Sequence, residues 1–142
     1  MMTSRGLIPG TAWLCLTAAM VLTSGCAQQG AWSGIYAVDA AGVARTCVAP
    51  AAAPADGQSI AAQMQVSNEG GWCGINATRG GSPFESYLQV ARPTHGTVFA
   101  HRVGTKTRID YTPDAGFAGT DSFAVRLLPG QAVIQVGVTV TK

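Results

Sequence analysis

The sequence predicts an all-β protein whose folded part is a β-sandwich of about seven short strands. Three observations predict it. Apolar and polar residues alternate with period two in segment after segment from Ser59 onward, as they do in strands that bury one face. Turn-forming pairs such as Gly104-Thr105 and Pro129-Gly130 stand between these segments, where they reverse the chain. No long run with helical spacing follows the N-terminal segment. Two stacked sheets allow every strand to bury one face, which so regular an alternation requires.

The chain has 142 residues, of which 47% are hydrophobic and 11% charged. That is enough apolar surface for one core and too little length for two good ones. The formal net charge of +2 is too small to argue for nucleic acid, and no nucleic-acid partner is expected.

Residues 1–25 have the layout of an export signal. Arg5 is the only charge before Asp39, Thr11 to Leu22 is apolar, and small Ser24 and Gly25 follow. Pro9-Gly10 interrupts the apolar run, leaving it short of the ~17–25 residues of a membrane span. Leu22-Thr23-Ser24-Gly25-Cys26 resembles a bacterial lipobox, although the Leu usual three places before the Cys is here Thr23. The resemblance implies that Cys26 becomes the first mature residue and carries the lipid, anchoring the protein to a membrane. Ala27 after the Cys implies the outer membrane, with the domain facing the periplasm or the cell surface. The competing reading is ordinary cleavage after Ala27, which exports the chain without an anchor. Residues 26–44 read as a tether, with a loosely packed strand over residues 35–38.

With Cys15 assigned to the signal and Cys26 to the anchor, Cys47 and Cys73 are left as an even pair in an oxidising compartment. They are expected to form a disulfide, which loop-closure entropy values at roughly 3–4 kcal/mol. A metal or redox site is the weaker reading, because there is no C-x-x-C and His95 and His101 lie far along the chain.

The domain itself is placed at 45–142. Pro50 and Pro54 make the Ala49–Gly57 stretch a loop. Ile60, Ala62, Met64 and Val66 form one face of the first long strand. Asn68 to Gly74 reads as a glycine-rich loop in which Trp72 shields the disulfide. Phe84, Ser86, Leu88 and Val90 place a second strand, ended by Pro93. Thr97–Val103 and Thr107–Tyr111 form a hairpin, with Ile109 and Tyr111 turned inward. Phe123, Val125 and Leu127 mark the next strand, and Ile134, Val136, Val138 and Val140 the last.

Three segments carry a family resemblance: Pro93-Thr94-His95-Gly96-Thr97-Val98, Tyr111-Thr112-Pro113, and Gly116-Phe117-Ala118-Gly119-Thr120-Asp121-Ser122-Phe123. They resemble the bacterial cadherin-like and Ig-like extracellular modules, and the likeness runs from Ser59 to Lys142. It implies an Ig-like sandwich. The residues can also be read without the family. Gly116 and Gly119 supply backbone angles costly for other residues, Phe117 and Phe123 reach the core from either side of the bend, and Asp121 accepts backbone N–H bonds. With no Cys near Phe123, the Cys47–Cys73 pair is not the inter-sheet bridge of antibody domains.

No nucleophile stands in a G-x-S-x-G turn, and Glu85 and Asp110 are the one acid pair that strands could bring face to face. The protein is therefore read as non-enzymatic. Asp114 and Asp121 flank one turn without a clustered carboxylate motif, so neither a metal nor a cofactor is expected. Between Glu85 and Asp110 stand Arg92, His95, His101, Arg102, Lys106 and Arg108, with no acid among them. These residues read either as a solvated edge guarded by charge or as a basic face for anionic envelope polymers, lipid head groups or an acidic protein. Trp72 is a further contact candidate. The leading expectation is a membrane-anchored envelope lipoprotein whose domain mediates protein or glycan contacts. The alternative is a periplasmic inhibitor or accessory subunit of a hydrolase or secretion machine, acting through the loops around Trp72 or His95.

Overall fold

A computed structural model describes residues 41–142. The expected signal, the Cys26 anchor and most of the expected tether lie outside the described residues. The strands are β1 (Cys47–Val48), β2 (Ser59–Ser67), β3 (Cys73–Ala77), β4 (Ser86–Ala91), β5 (Gly96–Val103), β6 (Lys106–Pro113), β7 (Gly119–Leu128) and β8 (Ala132–Thr141). They form a five-stranded sheet in the order β1-β2-β8-β7-β4 and a three-stranded sheet in the order β3-β6-β5. Neighbours are antiparallel except β2 and β8, which run parallel from Ser59 beside Val133 to Ser67 beside Thr141.

The alternation read from the sequence is what buries the core. On β8, Ile134, Val136, Val138 and Val140 are buried while Gln135 and Thr139 are exposed. Phe123, Val125 and Leu127 of β7 meet them from the neighbouring strand, and Met64 and Val66 of β2 from the other side. Ile75 of β3 and Ile109 and Tyr111 of β6 close the core from the opposite sheet. The Tyr111 and Phe123 rings lie parallel across the two sheets, with centroids 5.8 Å apart.

Several expectations need correction. The Asn68–Gly74 loop ends early, because Cys73–Ala77 is a strand paired along β6 with Cys73 opposite Tyr111. Gly74 and Asn76 have poor strand propensity, and β3 owes its form to burial of Cys73, Ile75 and Ala77. The phase of β4 is reversed: Leu88 and Val90 are exposed, and Tyr87 and Gln89 are the half-buried ones. Phe84 reaches the core from the turn before the strand, where the Thr107 hydroxyl accepts its N–H. Glu85 precedes β4 of the five-stranded sheet and Asp110 lies on β6 of the other, so no strand pairing brings them face to face. Finally, residues 42–44 belong to the domain and not to a tether. Ala44 is buried, it donates its N–H to the Trp72 carbonyl, and Gly42 accepts from Trp72.

Candidate functional site

The turn between β6 and β7 is held by side chains from three places. Asp121 opens β7 and collects four donors. The Thr94 and His95 N–H groups donate at 2.9 Å each, the Ser122 N–H at 2.8 Å and the Tyr111 hydroxyl at 2.9 Å. Burial pushes the Asp121 carboxyl up, but these donors together outweigh it and hold the group below the usual carboxylate range. Burial, and then the Asp121 charge, push the Tyr111 phenol well above its ordinary value. Asn68, at the end of β2, donates its side-chain amide to the carbonyls of Asp114 and Phe117. Gly116 and Gly119 take positive φ angles of 78° and 146°, as the sequence requires of them. A third glycine was not foreseen: a side chain on Gly96 would meet the Tyr111 ring at 2.6 Å and the Thr112 carbonyl at 2.7 Å. Only one of the two phenyl rings is fully inside. Phe123 is buried, whereas Phe117 is half-buried at the rim and stacks on His95 at 4.2 Å.

The outer face of the three-stranded sheet carries a second cluster, built from the residues that alternate with core-facing Ile109 and Tyr111. Asp110 is 7% exposed, lies over the bare Cα of Gly74, and accepts Arg108 Nε at 2.8 and 3.0 Å. Burial pushes its carboxyl up, partly opposed by Arg108. The Arg108 guanidinium also covers the Trp72 ring at 3.8 Å, a favourable cation–π geometry. His101 stands opposite Arg108 in the β5–β6 register. Its Nδ1 is buried without a hydrogen-bond partner among the described residues, 3.8 Å from the Asp110 carboxylate. Phe99 completes the strip, 60% exposed and 5.0 Å from the His101 ring.

The basic residues of the sequence therefore do not share one face. Arg92 and His95 lie by the β4–β5 connection, exposed Arg102 and Lys106 flank the hairpin tip, and Arg108 is tied to Asp110 on the sheet. Arg102 turns its Nε back onto the Gly104 carbonyl at 3.0 Å. Trp72 is not a free loop finger, since its Nε1 donates to the Ala41 carbonyl and its ring lies under Arg108. Cys47 and Cys73 are joined as a disulfide, which links β1 to β3. Sequence reasoning missed Phe99 as a contact residue. The signal was available in its position, between Val98 and Ala100 on a strand whose inward face those two define.

Among the described residues no group of three or more His, Cys, Asp or Glu side chains is placed to hold a metal ion. What the strip offers is non-covalent contact: an exposed aromatic ring beside an imidazole, a guanidinium and an indole, features enriched where proteins meet partners. No curated protein matches the chain. Residues 49–141 match the family profile described as "Bacterial Ig domain", a span that takes in β2 to β8, both sheets and the Asp121 corner. The protein belongs to the bacterial Ig domain family.

Proposed function

We propose that this is a non-enzymatic, lipid-anchored envelope protein whose Ig domain contacts another envelope protein or a glycan through the outer face of the three-stranded sheet. The observation that carries the reading is Phe99. A phenyl ring 60% exposed in mid-strand is flanked by His101 and, one strand over, by the Asp110–Arg108–Trp72 chain. The family motif residues, in contrast, are spent on holding the corner. Trp72 and His95, through which an inhibitor of a hydrolase would act, already have contacts inside the domain, so the sheet face is preferred over the loops.

The contact is tested by placing a photo-crosslinking residue at position 99 of the full chain in its envelope. The expected outcome is a discrete adduct that is absent when the probe replaces exposed Gln65 on the other sheet. Equal labelling from both positions would remove Phe99 as the contact. The anchor is tested separately by palmitate labelling, with incorporation expected in the wild type and lost in Cys26→Ala. An unlabelled wild type would favour ordinary cleavage after Ala27.

A further inference from the structure

β4 ends the five-stranded sheet, so one of its backbone edges has no strand beside it among the described residues. Natural edge strands are usually guarded by charge, proline or inward-pointing ionic groups. Ser86–Ala91 reads SYLQVA, with no charge, proline or glycine. Leu88 and Val90 are 52% and 47% exposed on its outer side. The charges stand just outside the strand: Glu85 before it and Arg92 after it. Both are exposed, and neither is in an ion pair among the described residues. Arg79 lies within electrostatic reach of Glu85 but is already bonded to Asp56.

The one irregularity of β4 sets a register. Its pairing with β7 slips between Gln89 and Ala91, so Val90 is an extra, bulged residue. With Val90 set aside, the faces alternate evenly. Ser86, Leu88 and Ala91 point outward, Tyr87 and Gln89 inward, and continuing one step beyond each end puts Glu85 and Arg92 on the inward side. This arrangement is symmetric about Leu88. In two copies related by a two-fold axis through Leu88, Tyr87 meets Gln89, Ser86 meets Ala91 and Glu85 meets Arg92, each pair on one face, as antiparallel pairing demands. Without the bulge, the two charges would fall on opposite faces.

We propose that β4 pairs antiparallel with β4 of a second copy of this chain. The two five-stranded sheets become one, with Leu88 at the axis and an ion pair between Glu85 and Arg92 of the partner subunit at each end. No like charges are brought together, and the exposed Leu88 side chains cover each other. β5, which carries Phe99, follows β4 by a short connection, but the two inferences are read out at different positions, Leu88 here and Phe99 there, so either can fail without the other.

The test is cross-linking of the full chain in its envelope. Directly opposed antiparallel residues have Cα atoms about 4.5–5.5 Å apart, within the roughly 4.4–6.8 Å that a disulfide spans. Leu88→Cys is expected to give a reducible product at twice the chain mass, above the background of the wild type. Gln65→Cys, on the far side of the same sheet, stays at background. In the Leu88→Cys chain, Glu85→Arg or Arg92→Glu alone lowers the yield severalfold, and the two together restore it. All three are surface positions, so the core is untouched. Background yield from Leu88→Cys, single reversals without effect, or a product of some other mass would each overturn the proposal.

Discussion

Asp121 shows how much one side chain can organise. It joins the Thr94–His95 backbone, the Tyr111 hydroxyl and its own strand, so removing its charge loosens three segments together. Hydrogen bonds to a charged group contribute about 1.5–3 kcal/mol, and Asp121→Asn is expected to cost about 2 kcal/mol in urea denaturation at neutral pH. Because the folded carboxyl titrates below its ordinary value of 3.8, this stability is fully present above that value and is lost as pH falls through the folded one. The gap between wild type and variant should therefore close in acid. Asp110 works with the opposite sign: its raised carboxyl favours folding at low pH, and that contribution is lost as pH rises through its folded value. The role of Asp121 was legible in the sequence as a turn-fixing carboxylate, but its partners at Thr94 and His95 were not, since they come from a loop 26 and 27 positions away. Asn68 was illegible for the same reason.

At the scale of elements, the long strands were legible because burial on one face writes a period-two pattern into them. β8 follows it residue by residue, and β2 and β7 follow it except at Ser67 and Ala124, which are buried as well. β3 was misread because it is too short to show the pattern clearly, and β4 because the rule weakens there. β3 is a five-residue strand interrupted by Gly74, and β4 is an edge strand with apolar side chains on both faces and a bulge that changes its phase. β1 is two residues long and is held less by pairing than by Cys47, whose disulfide joins it to β3 across the edges of the two sheets. Its 26-residue separation implies about 3–4 kcal/mol from restricting the unfolded chain. Cys47→Ala/Cys73→Ala should lower the denaturation midpoint by that equivalent, with an unchanged far-UV circular dichroism spectrum in water. A variant that loses its strand signal would show instead that the bond is needed to form β3.

Across the whole molecule, one core serves both sheets, with Tyr111 and Phe123 stacked between them. Unfolding of the domain is therefore expected in a single transition, with near-UV and far-UV signals superimposable. Phe123→Ala should shift both together by about 3–5 kcal/mol; a shift in one signal alone would mean that the sheets come apart independently. The outer-face cluster was the least legible part, because Phe99, His101, Arg108 and Trp72 become neighbours only through strand register. That register also decides how the domain meets force. Residues 42–44 pair beside Trp72, and Asn68 donates its backbone N–H to Thr141, so residues 42–44 and Thr141 lie at one pole of the domain. Tension between residue 41 and Lys142 would unzip β8 one rung at a time from that pole, while the sulfur bridge at Cys47 arrests the peeling of β1.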